Sequence, residues 1–354
     1  MKDFLAITAF RDKGDRFRRR NLAACIGAVA SNFPEADHVV VEQGTGEWYG
    51  RQGFGAMHSV IDIPGDFRKS SLLNRAVREH PGYKFYVMVD ADVYMTRKLA
   101  DSIIGHSREE RLLYPYGDAI YMDELDTKRF LEKGDLWSGE KDHGVTIRRQ
   151  TGLCMSFTGK DFETVRGFDE DFAGWGAEDD AFMFKFRRSC LEVTRNMDRD
   201  AVAYHMFHPK VNTKEYLDSP NYRKNRVMCA CIRRMNDGDF ERYVSGKATM
   251  EELVAIYRAK GRLEVNLDWM VVPGTPPSYG DSVTLHIDTT IYDIDRSGEM
   301  SMSKILVEVE KEDGPEGVME FVDKVLSKIN GLPEEIRREI DWWYTGAKRK
   351  CGIS

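Results

Sequence analysis

The stretch Phe85-Tyr86-Val87-Met88-Val89-Asp90-Ala91-Asp92 decides the fold. Its apolar run has no polar alternation, which predicts a strand buried on both faces, as in mostly parallel sheets covered by helices. The run then ends in two carboxylates. Open α/β sheets bind ligands in the crevice outside the carboxyl ends of their strands, so this acidic pair is placed for a site.

Working outward, Leu72, Leu73, Ala76 and Val77 recur at helical spacing and stop at His80-Pro81-Gly82, because proline disfavours helix in the residue before it and glycine releases the chain. Phe4 to Phe10 (FLAITAF) reads as a strand, Leu22, Cys25, Ile26 and Val29 as a helical stripe, and Val39-Val40-Val41 as a second buried strand. The alternation predicts an α/β fold, Rossmann-like, with a mostly parallel central sheet and helices on both faces. Downstream, residues 112–150 carry mixed aromatics with Gly134, Gly139 and Gly144 and read as a long irregular stretch, suited to a mobile acceptor loop or lid. Leu153 to Phe157 predicts a strand, Lys160 to Arg166 and Glu178 to Arg188 predict helices, and Ala201 to Phe207 predicts a strand that bears His205 and runs into His208. Beyond about residue 215 the spacing predicts helices over 221–235 and 250–260, the second opened by a Thr249/Glu252 capping box. A turn at 272–277, strands over 283–292 and 304–309, and helices from Glu316 and Pro333 complete a small C-terminal α/β appendage.

The chain has 354 residues, 42% of them hydrophobic and 31% charged, enough for a proper core and unlike a disordered chain. A net charge of −7 excludes a global cationic field. Arg18-Arg19-Arg20, Arg187-Arg188, Arg233-Arg234 and Lys348-Arg349-Lys350 read as solvated helix faces, although they leave a nucleic-acid acceptor open. Six scattered cysteines without a CxxC pair predict reduced thiols. With no secretory signal and no apolar run long enough for a transmembrane anchor, a cytoplasmic location is expected.

Three constellations carry chemistry. Asp90 and Asp92 at a strand end can hold a divalent cation on a diphosphate, one by binding the metal and the other by binding a ribose or a metal-bound water. Alone, the tripeptide fits a solvated strand end equally well. The second is Gly174-Trp175-Gly176-Ala177-Glu178-Asp179-Asp180. Helix-dipole capping explains its acids, but not a Trp between glycines, which suits packing on a pyranose face. In the third, His205-Met206-Phe207-His208, positions i and i+3 face opposite sides of an extended strand, so both can ligate one ion only where the strand ends or bends between them.

In order and spacing these landmarks resemble the inverting GT-A glycosyltransferases related to β-1,4-galactosyltransferase and the bacterial chondroitin-polymerase type. The likeness runs from residue 4 to about 210. It rests on Phe10-Arg11, on Phe67, Lys69, Leu72, Leu73 and Asn74, on Asp90 and Asp92, on Thr151-Gly152-Leu153 through Gly167-Phe168, on Gly174 to Asp180 with Ala177 replacing a glycine, and on His205 to His208 with His205 where the family has Met.

The resemblance implies a domain over 1–215 that binds a nucleotide sugar and performs catalysis; beyond it, the residue pattern alone predicts a helical extension over 216–261 and the appendage over 262–354. It implies that Asp92, His208 and His205 bind Mn2+ (or Mg2+), and that Phe10, Arg11, Lys69, Asn74 and Asp90 line the donor site. Trp175, Gly176 and Glu178 would hold sugars, and Asp179 would deprotonate the acceptor hydroxyl. The expected reaction is inverting transfer from a UDP-sugar to a glycan or glycolipid in a bacterial or phage enzyme. The alternatives are a phage-type glycosyltransferase acting on hydroxymethylated DNA bases, a retaining transferase on the same fold, and a non-catalytic sugar-nucleotide-binding module.

Overall fold

The structure is a computed structural model that describes residues 2–133, 145–148, 150–198, 200–209, 219–259, 264–271, 285–294 and 300–305. The chain divides into two compact units, Met1–Tyr257 and Arg258–Ser354.

The first unit begins with β1 (Phe4–Phe10), α1 (Arg16–Asn32), β2 (Ala36–Gln43), the short α2 (Glu47–Gly50), β3 (Met57–Ile61), α3 (Lys69–Glu79) and β4 (Phe85–Val89). These follow the predicted alternation. Next come β5 (Val93–Tyr94), α4 (Arg97–His106), β6 (Arg111–Tyr114), β7 (Asp118–Tyr121), α5 (Glu124–Lys133), β8 (Val145–Arg148), β9 (Cys154–Phe157) and α6 (Gly159–Thr164). The unit closes with α7 (Glu178–Arg188), β10 (Glu192–Arg195), β11 (Val202–His205), α8 (Pro220–Arg234), α9 (Asp237–Val244) and α10 (Met250–Ala259).

A seven-stranded sheet in the order β10-β6-β9-β4-β1-β2-β3 forms the centre. Strands β4, β1, β2 and β3 run parallel, as do β10 and β6, while β9 is antiparallel to both its neighbours. Side chains alternate between the two faces. Phe4, Ala6, Phe85, Val87 and Val89 pack with Cys25 and Val29 of α1 and with Leu99 and Ile103 of α4. Leu5, Ile7, Tyr86 and Met88 pack with Leu72 and Ala76 of α3, Phe162 of α6, and Phe182 and Phe186 of α7. This period of two, with both faces covered, is why the strands read as continuous apolar runs.

Three features position the site. The parallel strands β1, β2 and β4 end on one edge, and antiparallel β9 begins there, with Asp90 N donating to Leu153 O at 2.8 Å. A second sheet in the order β5-β11-β7-β8 brings β11 antiparallel to β5, directly after Asp92. Finally, α8, α9 and α10 form their own core with Phe172 and with Ala181 of α7.

Residues 112–150 depart from the expected irregular stretch, since β6, β7, α5 and β8 occupy much of it, and residues 134–144 lie outside the described residues. The strands there are four residues each. Their partners are remote in sequence: β10 for β6 and β11 for β7, pairings that no local periodicity reveals. Helix α9 was also missed, although Asn236 caps it by accepting from Asp239 N. The capping box of α10 is as predicted: Thr249 N donates to Glu252 Oε2 at 2.8 Å and Glu252 N to Thr249 Oγ1 at 3.2 Å.

In the second unit the described residues form an antiparallel sheet of β12 (Glu264–Val271), β13 (Leu285–Ile294) and β14 (Met300–Ile305). The turn at 272–277 and the helices expected from Glu316 and Pro333 lie outside the described residues. Among the described residues, no helix is long and apolar enough to cross a membrane.

Candidate active site

At the carboxyl edge of the sheet the chain turns through Asp90-Ala91-Asp92, and each carboxylate serves a different cluster. Asp92 Oδ2 lies 3.2 Å from His208 Nε2 and 3.6 Å from His205 Nε2. The three side chains offer ligand atoms within 4.8 Å of one another. The strand ends at His205, so the next three residues leave the pleat and bring His208 back to the same side. That exit is held firmly: Met206 N donates to Asp92 O at 2.7 Å, Phe207 N to Thr127 Oγ1 at 2.8 Å, and Arg20 and Asn21 of α1 both donate to Phe207 O. The ring of His205 also stacks on Tyr121.

His208 Nδ1 faces the carbonyl oxygen of Pro209 at 3.2 Å, an atom that only accepts, so Nδ1 carries the proton. Its Nε2 then presents either a lone pair or a second proton to a carboxylate. A lone pair against a carboxylate is repulsive unless a cation lies between them, either a proton or a metal ion. The arrangement therefore fits a divalent ion, with two imidazoles and one carboxylate as donors and a backbone carbonyl fixing the tautomer of one ring. Burial opposes ionisation of Asp92, but His205 and His208 outweigh it and hold the carboxyl well below its usual range. Burial likewise lowers His208, but its hydrogen bond to Asp92 and the charge of that carboxylate together outweigh it, so its net shift is upward.

The second cluster is built around Lys69, the first residue of α3. Gln43, buried at the end of β2, sets this helix start by accepting from Arg68 N at 2.8 Å and donating to Ile63 O and Asp66 O. From there Lys69 Nζ reaches Asp90 Oδ1 at 3.0 Å, Asp179 Oδ2 at 3.0 Å and Glu178 Oε1 at 3.5 Å. Glu178, Asp179 and Asp180 form the first turn of α7, where the helix dipole favours carboxylates. Burial drives the Asp179 carboxyl up, the charges of Glu178 and Asp90 add to it, and Lys69 only partly offsets them, leaving it at about 8. Burial raises Asp90 too, against the pull of Lys69.

Two turns bring Asp179 close. Gly152, at φ +85°, leaves no room for a Cβ, which would run into the Asp179 carboxylate. Tyr116 OH donates to Gly152 O at 2.7 Å, Arg195 donates to Gln150 O at 2.8 Å, and Thr151 Oγ1 donates to Asp180 Oδ1 at 2.5 Å. Gly174 N donates to Phe67 O at 2.8 Å, tying the Gly-Trp-Gly turn to the entry of α3. Trp175 is 56% exposed and stacks on Tyr222 of α8, with centroids 5.7 Å apart. A Cβ on Gly176, at φ +102°, would stand 3.0 Å from the Tyr222 ring. Asn225 clamps the same turn, with Nδ2 donating to Ala173 O and Trp175 O.

Among the other predicted residues, Arg11 is half-buried just past the end of β1. Phe10 is buried beneath it among Leu22, Ile26, Val40 and Tyr49, with its ring against Trp48. The amide of Asn74 is buried, with Nδ2 donating to Phe168 O and Glu170 Oε1 and Oδ1 accepting from Phe168 N. It staples α3 to the Gly167-Phe168 turn. The sequence also underrated Gly152, whose signal was a glycine before a buried strand, and Tyr222, which sits in the helical extension and carried no signal.

Ala177, in place of a glycine, sits in the left-handed region at φ 68° as the residue before α7. That backbone costs an L-residue about 1 kcal/mol. Ala177→Gly is expected to stabilise the chain by a similar ~1 kcal/mol, read as a higher urea midpoint at unchanged slope. A lower midpoint would contradict the backbone assigned to this turn.

Residues 142–209, which hold Gly152, the Gly-Trp-Gly turn, Asp179 and both histidines, match a family model. The family is described as the N-terminal domain of galactosyltransferase. Over that span the likeness read from the motifs is borne out. Human chondroitin sulfate N-acetylgalactosaminyltransferase 1 is 25% identical over 191 residues, covering 50% of this chain and 33% of that protein. The chain therefore spans about a third of the length of the curated relative it matches. Solved structures similar to it include the catalytic domain of Drosophila beta1,4galactosyltransferase 7 complexed with xylobiose (14% identity, 88% of this chain and 97% of that one, TM-score 0.39). Another is a mannosyltransferase from Pyrobaculum calidifontis in complex with GDP-Man and Mn2+ (16% identity, 73% and 74%, TM-score 0.40).

Proposed function

We propose that this chain is a metal-dependent glycosyltransferase of the GT-A type that moves a sugar from a UDP-sugar to an acceptor hydroxyl with inversion, using Asp179 as the base. One observation carries the reading: three side chains that could hold a cation and a carboxylate of raised proton affinity are joined through the single turn Asp90–Asp92. Within these two clusters the carboxylates of Asp90, Asp92, Glu178 and Asp179 face Lys69, His205 and His208. A diphosphate entering such a field needs a cation with it.

Asp92, His205 and His208 would hold a divalent ion such as Mn2+. When bound, that ion supplies charge neutralisation for the departing diphosphate. Asp179 takes the proton of the acceptor hydroxyl as its oxygen bonds to the anomeric carbon from the face opposite the diphosphate. The carbon–oxygen bond to the phosphate breaks, its electron pair leaves with the nucleoside diphosphate, and the proton stays on Asp179. A carboxyl at about 8 suits this role, because a base is most effective when its proton affinity lies near the working pH. The exposed Trp175 face beside Tyr222 suits a pyranose ring and favours a glycan acceptor.

A panel of UDP-sugars incubated with the chain and Mn2+ tests the reading, followed by mass spectrometry of glycan acceptors. One donor should be turned over in Mn2+ and spared in chelator. Turnover indifferent to chelator, or none with any nucleotide sugar, would refute it.

A further inference from the structure

Among the described residues, Lys69 is the cation that touches both sides of the candidate reaction. Its Nζ bonds Asp90 on the strand-end turn that also carries Asp92, and with equal closeness it bonds Asp179, at 3.0 Å in each case. A second Asp179 oxygen accepts from it at 3.2 Å and Glu178 lies at 3.5 Å, so one ammonium with three hydrogens serves three carboxylates. The group is largely enclosed, with side-chain exposures of 14% for Lys69, 12% for Glu178 and 16% for Asp179. Enclosure makes each exchange of partner energetically significant.

We propose that Lys69 is a donor-operated latch on Asp179, an inference that rests on the glycosyltransferase reading above. Without a nucleoside diphosphate, the ammonium lies across Asp179 and occupies the oxygens that would accept a proton. A diphosphate arriving beside Asp90 and Asp92 brings more negative charge than any one carboxylate and draws the ammonium towards itself. Lys69 then moves from Asp179 to a phosphate oxygen, and Asp179 is left facing the acceptor with both oxygens available. Lys69 acts through Asp179 as a positioning residue. The base becomes competent only when a donor is in place. Because coupling is reciprocal, whatever weakens the hold of Asp179 on Lys69 must strengthen the hold of the diphosphate.

Reciprocity gives a test that needs no acceptor. At a pH above 8, where Asp179 is ionised, UDP with Mn2+ is titrated calorimetrically into the unsubstituted chain, Asp179→Asn, Lys69→Gln and the double variant. Asp179→Asn should tighten UDP about three- to tenfold, the scale of one partly enclosed ion pair, and this gain should vanish in the Lys69→Gln background. A gain of equal size in both backgrounds would mean only that a negative charge has been removed near the phosphates, and would overturn the latch. So would no gain at all. If UDP with Mn2+ does not bind the unsubstituted chain, the glycosyltransferase reading fails and the latch falls with it. Binding without the Lys69-dependent gain sinks the latch alone. Should Lys69→Gln not fold, a crystal structure of the unsubstituted chain with UDP and Mn2+ reads the same event. Lys69 Nζ is expected on a phosphate oxygen and out of hydrogen-bond reach of Asp179. Lys69 still bonded to Asp179 overturns the proposal.

Discussion

Asp179→Asn is expected to reduce sugar transfer by about a thousandfold, within the usual range for loss of a positioned base, while the chain stays folded and still binds UDP with Mn2+. Asparagine keeps the shape and can accept a hydrogen bond from Lys69, but it cannot hold the acceptor's proton. The loss should fall on kcat, because the missing interaction belongs to the transition state. Burial, Glu178 and Asp90 raise the Asp179 carboxyl of the unliganded chain to about 8. The ratio kcat/KM, which reports the free enzyme, should therefore climb as pH rises through about 8 and level off above it, where the carboxylate is fully formed. The residual activity of Asp179→Asn should lack that rise. A profile of kcat/KM against pH for both proteins checks the sign, and a ratio that falls over the same interval would contradict Asp179 as base.

Asp92→Asn carries the second large effect. It should weaken Mn2+ binding by about a hundredfold, and binding of UDP in the presence of Mn2+ by a comparable factor. Asp92 is the single anionic donor of the triad, and its Oδ2 is the atom both imidazoles approach, at 3.2 and 3.6 Å. An amide oxygen carries no charge to offset the desolvation of a divalent ion. Paramagnetic resonance of free Mn2+ during a protein titration reads the metal affinity directly. An affinity unchanged by Asp92→Asn would place the ion elsewhere.

How much of this was legible beforehand depends on how local each signal was. The strand Phe85–Val89, its terminal acids and helix α3 are encoded in runs of a few residues, and the fold follows from them. The same holds for the first turn of α7, whose acids the helix dipole favours. The convergence of Asp92 with His205 and His208 was not visible from periodicity. It depends on β11 ending at His205 and on Asn21, Arg20 and Thr127 holding the exit, contacts that span 80 residues or more. Asn74 belongs to a recognisable local motif, yet the turn its amide closes lies 94 residues away and carried no local signal. The bridging position of Lys69 had no sequence signal, since it arises only when α3 and α7 start at the same edge of the sheet.

Calorimetry of UDP binding to the unsubstituted chain, once with Mn2+ and once with excess chelator, tests the central claim most directly. Tight binding with Mn2+ that falls at least tenfold in chelator is the predicted result, because the carboxylates around Lys69 repel a bare diphosphate. Equal affinity in the two conditions would show that no cation joins the nucleotide to Asp92, His205 and His208, and would contradict the account.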